Sequence, residues 1–253
     1  MIVREIPATD GVPACLTLIA QTEHASLAQQ LAWHWAGLPF GSSFLQTTLL
    51  PVLAHHDDGW SDWDAAPAVD PHLGRPYAFT EMPLVESLDI WSRSILACET
   101  YGPLGGWLVA QHFLALLSHS ENAQQPQAGD WMRQQQAACV NWLSTWQAEQ
   151  AENSAALADA ALASLQFFDR LSLWFCCSAS PAPFRAESPS SGAVSFRQPQ
   201  RGQVLVSPWP FDGDGFSVEV ASLRVAAQDF SSAVELALAP HEIVDLSWEL
   251  IPW

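Results

Sequence analysis

Apolar positions recur at helical spacing from about Glu23 to Cys177 and at a period of two beyond it. The first helical stretch runs from Glu23 to Trp35, with Thr22 as its cap and Gly37 past its end, and places His24, Leu27 and Leu31 on one face. A second starts near Ser43, restarts at Pro51 and ends in His55-His56-Asp57-Asp58-Gly59-Trp60. Residues 61–80 are broken by Pro, Gly and Asp and predict a long surface loop. Helical spacing resumes over 84–101, 104–118 and 131–149, the last with Asp130 as its cap. A final helix is predicted over 154–177, with Leu162, Leu165 and Asp169 on one stripe.

Residues 178–192 are rich in Ser, Pro and Ala and read as a linker or long loop. Alternation then predicts a hairpin of 203–211 with 216–220 around Asp212-Gly-Asp-Gly215, and a short helix over 232–239. In the last strand, 242–250, Val244, Leu246, Trp248 and Leu250 share one side. The fold class this pattern predicts is mainly α. A helical domain occupies 21–178, and a small antiparallel β appendage at 193–253 is joined by an N-terminal strand region at 1–20.

Composition narrows the partners. The chain has 253 residues, 49% of them apolar, enough for a substantial core. Its 27 acidic residues face 9 basic ones, all Arg, and the net charge is -18. Nine scattered arginines give no cationic stripe, and the net charge repels phosphate backbones and anionic lipid, which argues against nucleic acid and membranes as partners. A small anionic molecule is compatible with this charge where a bound cation inverts the local field. Homo-oligomerisation is left open. The N-terminus is charged early and lacks a long apolar run, so a cytoplasmic location is expected. Cys15, Cys98, Cys139, Cys176 and Cys177 are odd in number, lack C-x-x-C spacing and read as reduced thiols.

One residue stands against this pattern. Asp169 lies in an almost wholly apolar stretch, and an ionised carboxylate buried without a partner costs several kcal/mol, on the order of a protein's whole stability. A bound cation is one adequate partner; a pairing with Arg170 or a capping role is the alternative. His24 and the pair His56-Asp57 are candidates for the same cation. Two imidazoles and two carboxylates make a mixed N/O set suited to Mn, Fe, Co, Mg or Zn.

The order His24, then His56-Asp57-Asp58-Gly59, then a distant Asp169 resembles the HD superfamily, and more closely an uncharacterised bacterial branch with His-Asp-x-Gly-Trp and a late Phe-x-x-Leu-Ser-Leu helix, here Phe168 to Leu173. The resemblance covers about Glu23 to Cys177. It implies an HD-like helical bundle in which His24, His56, Asp57 and Asp169 hold a divalent metal, with a second ion conceivable in such a site. It further implies a metal-dependent phosphohydrolase acting on a phosphorylated metabolite or nucleotide. The alternatives are a di-iron oxygenase and a non-catalytic module that senses a metal or ligand.

Outer positions complete the candidates. His112 and Asp58 are candidates for proton transfer, each with a structural alternative: a satisfied core histidine and a loop cap. His119 shares a face with His112 but lies two turns away, about 10 Å along the helix. With Lys absent, recognition of an anion falls to Arg75, Arg93 or Arg170, each equally readable as a surface ion-pair partner. Trp60, just after the motif, is a candidate wall for a planar ligand.

Overall fold

The computed structural model describes residues 1–9, 11, 13–190 and 192–253, with the exception of the Ser42 side chain, so three positions within the predicted N-terminal region and linker lie outside the described residues. Two strands come first, β1 (Ile2–Ile6) and β2 (Cys15–Ile19). The helical part follows with α1 (Gln21–His34), a single turn α2 (Ser42–Phe44), a wide π-type turn at Leu45–Leu49, α3 (Leu50–His55) and α4 (Ser61–Ala65). A two-stranded ribbon of β3 (Val69–Asp70) and β4 (Arg75–Pro76) leads to α5 (Leu84–Glu99), α6 (Pro103–Ser118), α7 (Pro126–Glu149) and α8 (Ala155–Cys177). The chain ends with β5 (Phe184–Glu187), β6 (Ala193–Gln200), β7 (Gln203–Ser207), β8 (Phe216–Ala226), α9 (Ala233–Leu238) and β9 (His241–Pro252).

The helices form where the 3.6-residue period predicts them, and their ends depart for local reasons. The chain turns from β2 straight into α1, so Ala20 precedes the helix and Thr22 lies within it. Pro126 opens α7 a turn early, its missing N–H costing nothing at a first helical position, and Asp130 is therefore inside the helix. Ser154 caps α8 by accepting the Leu157 N–H at 3.2 Å. The segment predicted as one loop over 61–80 is partly ordered, holding α4, the ribbon and a 3-10 turn at Phe79–Glu81.

The sheet is larger than a small appendage. Seven strands run in the order β1-β2-β8-β9-β7-β6-β5, antiparallel except for β7 beside β9. The predicted hairpin of 203–211 with 216–220 does not form, because the twelve-residue β9 lies between β7 and β8 and pairs with both. The result is a mixed α/β fold with a majority-helical core. Val218, Val220, Trp248 and Leu250 on the sheet pack into one continuous core with Leu27, Leu31, Phe168 and Phe175 of the helices. A smaller apolar group lies on the other face of the sheet, around Leu16, Leu18, Val225 and Phe230, and another joins the motif turn to α5 around Trp60, Met82 and Ile90. No helix among the described residues is long and apolar enough to cross a membrane. All five cysteines are free.

Candidate metal centre

Three helices bring the predicted residues together. α1 packs against both α3 and α8, so His24 from the first turn of α1, His56 and Asp57 just past α3, and Asp169 from the middle of α8 meet in the interior. His24, His56, Asp57 and Asp169 are all buried. His24 Nε2 lies 2.7 Å from Asp57 Oδ2, and His56 Nε2 lies 3.9 Å from the same oxygen and 3.3 Å from Asp169 Oδ1. One ligand atom from each of His24, His56 and Asp57 falls within 4.8 Å of the others, and among the described residues this is the one such group.

Close packing of the motif positions the pair. Gly59 follows it in a 3-10 turn, donating its N–H to Ser94 Oγ at 3.0 Å while its carbonyl accepts from the Arg93 guanidinium. A Cβ on Gly59 would come within 2.1 Å of the Ile90 carbonyl oxygen, so only glycine lets this turn reach α5. Trp60 then anchors the turn at 3% exposure against Met82 and Ile90. The glycine thus serves a close approach, beyond ending a helix.

Hydrogen bonds fix which imidazole nitrogen faces the centre. His56 Nδ1 lies 2.8 Å from the Leu53 carbonyl, which can only accept, so Nδ1 carries a proton. That carbonyl belongs to the end of α3, where helix carbonyls lack intrahelical partners. His24 Nδ1 lies 3.0 Å from Ser172 Oγ, whose own hydrogen is donated to the Asp169 carbonyl at 2.9 Å. The hydroxyl therefore accepts from His24, and Nδ1 is again the protonated nitrogen. Both Nε2 atoms are left facing carboxylates, the tautomer and orientation that metal-binding histidines adopt.

This donor set fits one divalent cation. Ligands on one ion at about 2.0–2.2 Å lie on the order of 3–3.5 Å apart when adjacent, and the separations here straddle that range. Without an ion the carboxylates compete for protons on the same imidazoles. Burial opposes charging His56, but Asp57 and Asp169 outweigh it and raise its pKa to about 9. Burial alone would raise Asp57; the imidazoles of His56 and His24 reverse this and hold it below the usual carboxylate range. Asp169 behaves alike, with His112 and His56 outweighing burial.

His112, on α6, extends the cluster. Its Nε2 lies 3.8 Å from Asp169 Oδ2 and its ring centroid 5.9 Å from that of His56. Burial lowers its pKa, and its Nδ1 is buried with no hydrogen-bond partner among the described residues. His112 and Asp169 also line a cavity of about 310 Å³ between α6 and α8, together with Leu116, His119, Gln166 and Arg170. The Arg170 Nε donates to the Gln166 carbonyl at 3.1 Å, and no carboxylate pairs with this guanidinium among the described residues.

Three other candidates stay apart from the centre. Asp58 accepts from or pairs with His55 at 2.9 Å, beside Tyr101 and partly exposed. Arg75 is committed to Glu5 at 2.7 Å and Glu81 at 2.8 Å, which fastens the ribbon to β1. Trp60 is enclosed in its apolar cluster and offers no face to a ligand. Ser172 is the contributor that pattern reading did not single out. Its signal was its place three residues after Asp169, on the same face of α8.

A protein family described as protein of unknown function (DUF3891) matches residues 1–227. No curated protein and no solved structure matches the chain.

Proposed function

We propose that this chain, which belongs to the DUF3891 family, is a metal-dependent phosphohydrolase acting on a small phosphorylated metabolite or nucleotide. The observation that carries this reading is the convergence of His24, His56 and Asp57, both imidazoles fixed through Nδ1 and presenting Nε2, beside a cavity. Asp169 is the proposed fourth ligand, consistent with its 3.3 Å approach to His56 Nε2. A divalent ion held there supplies Lewis acidity, which makes water nucleophilic near neutral pH and polarises a phosphoryl oxygen.

The chain's own residues would supply the rest. Arg170 at the cavity orients an anionic ester through its unpaired guanidinium N–H groups. His112, held neutral by burial and facing both the cavity and Asp169, would accept a proton from the attacking water at Nε2 and return it to the departing ester oxygen.

The test is elemental analysis of purified protein, followed by a screen of phosphate mono- and diesters with the metal found. A divalent ion in the wild type, its loss in Asp57→Ala and Asp169→Ala, and metal-dependent hydrolysis are expected. Full metal content in Asp169→Ala would remove that residue from the ligand set, and a metal-loaded protein inert across the screen would overturn the hydrolase reading.

A further inference from the structure

The sheet extends beyond the helical layer that covers it, and the uncovered end of its inner face is a cavity of about 920 Å³. Strand register determines what lines it. Arg4 on β1 pairs with Thr17 on β2, Thr17 with Arg224 on β8, and Arg224 with Glu242 on β9. Residues directly opposite one another share a face, so these four form one row across the sheet. By alternation that face also carries Val220, Leu246 and Trp248. Helix α8 stops at Cys177, and the residues after it border the cavity from one side while Arg201, in the turn between β6 and β7, borders it from another.

Three of the nine arginines thus face one cavity in a chain of net charge -18. Arg224 is paired with Glu242 at 3.3 Å, whereas Arg4 and Arg201 have no carboxylate partner among the described residues. Arg4 is only 7% exposed. Its Nε and Nη2 donate to the carbonyls of Cys176 and Phe175 at the end of α8, and its guanidinium lies 5.9 Å from the Trp248 ring. Those carbonyls offset a cation only partially. Neither its Nη1 nor the hydroxyl of Thr17 on the adjacent strand makes a hydrogen bond within the described residues, and both are accessible from the cavity. Burial lowers the Arg4 pKa, and the neighbouring Arg201 charge adds to that effect. A largely buried cation ordinarily finds an anion.

We propose that this cavity is a second binding site, separate from the metal centre, for a small organic anion whose phosphate or carboxylate group is held by Arg4 Nη1, the Thr17 hydroxyl and Arg201. The apolar body of such a ligand rests against Ile6 and Leu246, and the cavity volume suits a metabolite.

Calorimetric titration of the chelator-treated protein at low salt with phenyl phosphate, benzoate and neutral benzyl alcohol tests this. One or both anions should bind saturably and the alcohol should not; the anion that binds identifies the head group. Arg201→Gln and Thr17→Val should each weaken binding about fivefold or more, since each removes a bond to a charged group. Both leave the Arg4 contacts with α8 in place, so folding is preserved where Arg4→Met would risk it. Asp57→Asn should bind the anion as the wild type does, which separates this site from the proposed hydrolase centre. Absence of saturable binding by either anion, equal binding of the alcohol, or unchanged affinity in both Arg201→Gln and Thr17→Val would overturn the proposal.

Discussion

At the scale of single residues, the centre depends on partners that face away from it. Ser172 orients His24 through Nδ1 without reaching the site where an ion would sit. Ser172→Ala should keep the fold yet lower divalent-metal affinity about 10- to 100-fold, as loss of such an orienting bond commonly does. Equilibrium dialysis against the metal found in the wild type measures this. The raised pKa of His56 gives a further expectation. Without metal its charged form stabilises the fold, fully below pH 6.5, and this contribution is lost as pH rises through about 9. A cation requires His56 Nε2 unprotonated, so binding at pH 7 should release close to one proton there, and less above pH 9. Calorimetry in buffers of differing ionisation enthalpy reads this release directly. The ligand candidates were legible because each is a polar residue at a place in the helical period that demands burial. The Leu53 carbonyl and Ser172 were not, since a backbone acceptor leaves no mark in composition and a serine is unremarkable on a helix.

At the scale of elements, the contact between the motif turn and α5 sets the geometry. Gly59→Ala forces a methyl group onto the Ile90 carbonyl, and the turn carrying His56 and Asp57 must retreat. We expect a loss of about 1–3 kcal/mol in stability, on the order of several degrees in Tm, together with weaker metal binding. Thermal melts with and without metal distinguish the two effects. Gly105 is the counterpart at the crossing of α5 and α6, where a Cβ would meet the Cys98 carbonyl at 2.1 Å. The positions of α5, α6 and α8 followed from periodicity and caps. The identity of these glycines as points of helix approach did not, because the partner carbonyl of each lies on another helix and leaves no mark in the local pattern. Trp60 was misplaced for a related reason: its neighbours Met82 and Ile90 come from distant segments, invisible in the local pattern.

At the scale of the whole molecule, helices and sheet share one core. The strands after α8 therefore do not form an independent unit. A chain ended at Ser178 would expose Phe175, which Trp248 now covers with ring centroids 5.2 Å apart, and would open the rest of the shared core. It should lack a cooperative thermal transition, whereas the full chain should melt in one, as calorimetry would show. Alternation identified three of the seven strands that build the sheet, β7, β8 and β9. Their order was not accessible, since a two-residue period reports which side faces inward and carries no information on which strand lies alongside. The parallel pairing of β7 with β9 illustrates this, as both alternate equally well beside any neighbour.

The pairing of β2 with β8 also has a consequence in time. Thr17 meets Arg224 across roughly two hundred residues of chain, so during synthesis at about 5–20 residues per second the first two strands wait on the order of ten seconds or more for their neighbour. Through that interval the apolar side of β2 and the helices beneath it have no sheet to close over them. Closure of the core around His24, His56 and Asp57 is thereby deferred until nearly the whole polypeptide has been made.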